Sequence, residues 1–120
     1  MVTSFKGKQF TIVPDGFYTV KLEKWEDTET QYGHGVAGIF SIEKGKYQGK
    51  QLRCTFPAEH SSKNKLGRFI GAVLGKYDHS EDYNPEHFVG KILKITVKNE
   101  ETKDGKYSRI QEFYNEEAEA

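Results

Sequence analysis

Cysteine is almost absent: Cys54 stands alone, so the chain can form no internal disulfide and no thiolate metal site. Hydrophobic residues are scarce at 35%, and no run approaches the ~20 apolar residues that a membrane-spanning helix needs. Neither sign of charge is in excess, since 18 Lys and Arg balance 18 Asp and Glu. Global charge therefore selects no partner, and most tight nucleic-acid binders are more basic. Walker A, GxSxG and HExxH patterns are all missing. His34, His60, His79 and His87 are scattered through expected loops without ligand spacing, and they read as solvated loop residues. No enzyme, cofactor or metal is expected. The first ten residues lack the apolar segment of a secretory leader, so a soluble, cytoplasmic protein is expected.

What is present is aromatic area. Phe, Tyr and Trp make up 13% of the 120 residues, and each buried ring removes more apolar surface than an aliphatic side chain. That suits a single small domain over residues 1–114, with a flexible arm at 1–10 and an acidic tail at 115–120. The segment from Glu112 onward carries four acids and no base; without it, 18 basic residues face 14 acidic ones.

The order of elements suggests the architecture. After the turn Pro14-Asp15-Gly16, Tyr18, Val20 and Leu22 alternate with polar residues as a first strand. A polar, glycine-tipped loop is expected from Glu26 to Gly35, then a second strand from Val36 to Ile42. Gly45-Lys46-Tyr47-Gln48-Gly49 forms a hairpin loop, followed by Leu52, Cys54 and Phe56 as a third strand ended by Pro57. Leu66, Phe69, Ile70, Val73 and Leu74 make an amphipathic helix over Lys65–Leu74, with Ser61 or Ser62 as N-cap and Gly75 just past its end. Gly67 and Gly71 weaken that helix, and their spacing suggests a closely packed backbone. Asn84-Pro85-Glu86 starts a one-turn helix closed by Gly90. Leu93, Ile95 and Val97 then form a fourth strand, Lys103–Lys106 a turn, and Tyr107–Phe113 a fifth strand with Ile110 inward. Three strands, a helix and two strands is the layout of a five-stranded OB-like β barrel.

Aromatic and basic residues interleave on the faces left outward. Trp25 shares the parity of Thr19, Lys21 and Glu23, so it is either an exposed platform for a base or a core residue at the barrel mouth. With Lys21 on the same face and Lys24 adjacent, a base could stack on the indole while phosphates meet the ammonium groups. Lys44, Lys46, Tyr47, Lys50 and Arg53 form the densest positive run, with no acid between Lys44 and Arg53. The competing reading is a lysine-rich hairpin that protects a sheet edge. Lys94 and Lys98, with Lys106, Tyr107 and Arg109, make a third group, tempered by Glu100, Glu101 and Asp104. Rings beside cations suit a single strand, whose bases stack and whose phosphates need neutralising. The candidate nucleic-acid-binding set is Lys21, Trp25, Lys46, Tyr47, Lys50, Arg53, Lys94, Tyr107 and Arg109.

Three stretches resemble small phage and mobile-element proteins regarded as OB-type single-stranded-DNA-binding proteins. They are Pro14–Tyr18, Gly45–Leu52 and Phe88–Lys91, and the likeness spans most of residues 10–114. The resemblance implies a role in phage or element DNA replication and recombination, protecting exposed single strands in the host cytoplasm. It fixes no binding residues. Single-stranded DNA is the implied partner, with RNA left open, and replication or recombination proteins could meet the acidic tail. A protein-interaction or regulatory module on the same barrel, binding no nucleic acid, is the alternative.

Overall fold

The computed structural model describes residues 12–30, 33–103 and 105–118. The expected N-terminal arm lies outside them, as do Asp104 and the last two residues of the tail.

Alternating apolar residues generate five strands: β1 (Gly16–Thr30), β2 (Gly33–Ile42), β3 (Gln51–Pro57), β4 (Ile92–Thr102) and β5 (Gly105–Asn115). They form one antiparallel sheet in the order β3-β2-β1-β4-β5. β1 is the hinge of the sheet. Its first residues, Gly16–Lys21, pair with β4, while Val20–Thr30 pair with β2. The polar stretch expected as a loop from Glu26 to Gly35 instead continues this ladder as far as Thr30 opposite Gly33. Its tip, where Glu29 and Thr30 face His34 and Gly33, pairs with no third strand, so the sequence there can be polar and lacks the alternation that would mark a half-buried strand.

One face of the sheet carries the core: Val20, Leu22, Phe40, Ile42, Leu52, Cys54, Phe56, Leu93, Ile95, Val97, Ile110 and Phe113 are all buried. The helix α1 (Lys65–Leu74) closes this face with Phe69 and Ile70. Phe69 is the hub, with its ring centroid 5.5–5.9 Å from those of Trp25, Phe40, Phe56, Phe88 and Phe113.

The expected closed barrel is not formed. The sheet curls until Phe56 on one edge strand and Phe113 on the other bring their rings within 5.7 Å, yet no ladder joins β3 to β5. Phe69 of α1 contacts both rings at 5.5 Å, so side chains rather than backbone bonds span the gap. The described fold is an open, mainly β sheet with one helix over its concave face.

The helix begins at Lys65, and its N-cap is neither Ser61 nor Ser62. Asn64 is the N-cap, accepting from the Gly67 amide at 2.9 Å, while the Ser61 hydroxyl accepts from the Asn64 amide at 3.2 Å. Gly75 ends the helix as expected, left-handed at φ 77°, its amide donating to the Gly71 carbonyl at 2.9 Å. Asn84 caps a 3-10 turn at Pro85–Phe88 through the Glu86 amide, as its sequence suggested, with Val89 as the closing residue.

Candidate nucleic-acid interface

On the convex face, cross-strand pairing turns the linear list of candidates into rows. Lys24, Ile39 and Arg53 lie side by side across β1, β2 and β3. The neighbouring row holds Ile92, Lys21, Ser41 and Gln51. Lys94 stands between Thr19 and Tyr114. Lys21, Arg53 and Lys94 therefore share one continuous face. The β2–β3 hairpin carries exposed Lys44, Lys46 and Lys50, while its Tyr47 packs against the core beside Tyr18.

Several of these charges are already matched. The Glu26 carboxylate lies 3.8 Å from Arg53 Nε and 3.5 Å from Lys24 Nζ, and all three side chains are well exposed. Solvent screening leaves such pairs weak, so a phosphate can replace the carboxylate at little cost. At the far hairpin, Glu100 accepts from the Tyr107 hydroxyl at 2.8 Å and from Arg109 Nη1 at 3.2 Å. Tyr107 foremost, then Arg109 and Lys98, hold the Glu100 carboxyl below the usual range; the same hydrogen bond raises the Tyr107 phenol. Lys94 donates its ammonium to the Ala118 carbonyl, which ties the start of the acidic tail to this face.

Tyr107 and Arg109 share an outward face of β5, as their parity suggested, next to Lys98 and Glu100 of β4. Lys65, and more weakly Arg109, act to lower the pKa of the Cys54 thiol. Burial is nevertheless the dominant influence on Cys54 and pushes its thiol pKa up.

Trp25 is not an exposed platform. The ladder slips between Leu22 and Lys24, and this bulge at Glu23 inverts the parity of every later β1 residue. The indole consequently faces Gly38 and packs edge-on against Phe56 and Phe69, with Nε1 donating to the Pro85 carbonyl at 2.7 Å. Gly38 makes room: a Cβ there would lie 3.0 Å from the Phe40 ring. Tyr47 is only half free, since its ring meets Tyr18 edge-on at 6.3 Å while Lys46 Nζ sits 5.8 Å from its centroid.

His60 is likewise not a solvated loop residue. Nε2 faces the Glu81 carbonyl at 2.7 Å and must donate to it, so Nδ1 accepts from the Tyr77 hydroxyl at 2.5 Å in the neutral ring. Tyr77 and Tyr83 flank the imidazole, which anchors the β3–α1 loop to the segment after α1. Between this cluster and Trp25 lies a cavity of about 80 Å³ lined by Phe69, Tyr83, Pro85 and Phe88.

Two convex-face aromatics escaped sequence reasoning. Phe17 and Tyr114 meet with ring centroids 5.4 Å apart. Phe17 has the outward parity of Lys21 and could have been read from β1. Tyr114 could not, because β5 slips between the residues facing Thr96 and Val97 and so reverses the parity beyond Ile110.

Among the described residues, no group of three or more His, Cys, Asp or Glu side chains could hold a metal ion, and no helix is long and apolar enough to cross a membrane. What the convex face offers chemically is dispersed ammonium and guanidinium groups, few acids without a partner, and flat rings at its β4–β5 side. No family model matches the chain, and no curated protein matches it either.

Proposed function

We propose that this chain is a sequence-independent single-stranded-DNA-binding protein built on an OB-type roll, acting in phage or mobile-element DNA replication or recombination. The observation that carries the reading is the run of Lys21, Lys24, Arg53 and Lys94 across one convex face, extended by Lys46 and Lys50 on the hairpin. The strand order β3-β2-β1-β4-β5, with a helix between β3 and β4, supports the fold assignment, because OB rolls are five-stranded and partly open. Binding is stoichiometric. Phosphates displace Glu26 from Arg53 and Lys24, counterions leave, and bases lie against exposed rings. Cations that read only phosphate carry no sequence information, so the strand is held whatever its bases.

The test uses an end-labelled oligo-dT and fluorescence anisotropy over a salt series. The Lys46→Ala, Lys50→Ala double variant should lower the slope of log affinity against log salt by roughly 1.4 units, about 0.7 per contact, if both lysines touch phosphate. An unchanged slope removes the hairpin from the site. The tryptophan is a poor reporter here, because its partly buried indole packs against the core and away from the convex face. The second reading, a protein-interaction module, is favoured by the acids that already sit on this face: Glu26 on Arg53 and Glu100 on Arg109. It predicts no oligonucleotide binding at any salt concentration.

A further inference from the structure

We infer that the groove between Phe17, Lys98 and Tyr114 is a stacking subsite for a base of the bound single strand, separate from the β1–β3 cations. This rests on the proposed function. The groove occupies about 570 Å³ on the convex side of β1, β4 and β5, within the size range of small-ligand sites, and Asp15, Thr96 and Gln111 complete its walls. Phe17 faces Thr96, and Thr96 faces Glu112, so the two strands flanking β4 bring their rings together above its centre. The rings are tilted by 50°, which keeps them from covering one another face to face and leaves each with surface for a further flat ring.

Charge at the site favours an anion-bearing ligand. Lys94 and Lys98 stand two residues to either side of Thr96 on the same face of β4, roughly 14 Å apart along the strand. Lys98 makes no ion pair among the described residues. Of the nearby acids, Glu112 is paired with Arg68 at 3.2 Å, while Asp15 accepts from the backbone and side-chain amides of Asn99 at 2.7 and 3.0 Å and keeps its charge. Lys94 is held by the neutral Ala118 carbonyl, which a phosphate can displace. The Tyr114 hydroxyl has no hydrogen-bond partner among the described residues and is available to a base edge or a phosphate. Flat rings between two lysines, which outnumber the single carboxylate of Asp15 left without an ion pair among the described residues, fit a nucleotide better than an uncharged sugar or an apolar peptide.

The experiment is photocrosslinking of the wild-type protein to an oligo-dT containing 5-iododeoxyuridine, with the modified residue located by mass spectrometry. Tyr114→Ala and Tyr114→Phe are titrated in parallel with the unmodified oligonucleotide. The expected result is crosslinking at Tyr114 or Phe17, with affinity reduced roughly 5- to 150-fold by Tyr114→Ala and largely retained by Tyr114→Phe. Circular dichroism melting checks that the alanine variant is folded; if it is not, crosslinking to the wild type decides. Oligo-dT that binds but crosslinks only on the β2–β3 hairpin, or binds Tyr114→Ala as tightly as wild type, overturns the subsite and leaves the broader function standing. No binding at all overturns both. A wild-type dimer that Tyr114→Ala converts to monomer also overturns it, by making this face a contact between copies.

Discussion

Gly67 and Gly71 sit one turn apart in α1, and replacing each by alanine should move stability in opposite directions. In an exposed helix the exchange gains about 1 kcal/mol, because alanine loses less backbone entropy. At Gly71 nothing opposes that gain: an added Cβ would meet only the Tyr77 Cβ at 3.6 Å, an ordinary contact. At Gly67 the added Cβ would stand 1.8 Å from the Ser61 carbonyl oxygen and 2.8 Å from its carbon. Both are backbone atoms in the segment that carries the Asn64 cap, so relief requires moving the whole turn. Overpacking of this kind costs about 1–3 kcal/mol, and a disturbed cap about 1 kcal/mol more. The helix-propensity gain offsets part of this, leaving a net loss of about 1–3 kcal/mol. For 120 residues, 1 kcal/mol corresponds to about 4 °C in Tm. Thermal unfolding followed by circular dichroism should therefore show Gly71→Ala raised by about 2–4 °C and Gly67→Ala lowered by about 4–12 °C. A Gly67→Ala protein as stable as wild type would refute the tight Ser61 approach.

Three further outcomes follow from the side-chain contacts. Trp25 should emit at short wavelength, and its emission should change little on adding oligo-dT even where anisotropy reports binding; strong quenching would mean that the indole faces solvent. Tyr107→Phe should move the Glu100 carboxyl, followed by NMR titration, up toward the ordinary glutamate range, because the phenol is its foremost stabiliser. Since the folded-state pKa is depressed, Glu100 contributes stability above its unfolded value and loses it as pH falls through the folded one, so the variant should lose less on acidification. An unmoved Glu100 would rule out the hydrogen bond. Cys54, buried with its thiol pKa raised, should resist a disulfide reagent at neutral pH until denaturant unfolds the chain, and rapid native-state labelling would contradict its placement.

Much of this fold is legible in the sequence because its strands alternate over one core. The helix Lys65–Leu74 follows directly from its apolar stripe, and the order of elements gives the sheet its members. What alternation cannot reveal is a bulge. The slip at Glu23 turned Trp25 inward, and the slip opposite Thr96 brought Tyr114 outward, so the aromatic surface lies on a different part of the sheet from the one parity alone suggests. The helix cap was misplaced for a related reason: Ser61 is an N-cap type of residue, but Gly67 lets its carbonyl approach closely and leaves Asn64 to start the helix. The cations were easier to place. Lys21, Arg53 and Lys94 lie outward as their strand positions require, while the Glu26 carboxylate that meets Arg53 comes from another strand and has no local signature.

The central claim is that this convex face holds a single strand through its phosphates. Wild-type protein titrated against labelled oligo-dT, from low to moderate salt, tests it most directly. The account predicts binding whose log affinity falls linearly with log salt, by about 0.7 per phosphate contacted, and which unlabelled duplex competes for poorly. An anisotropy that stays flat at the lowest salt, or an affinity indifferent to salt, would contradict it.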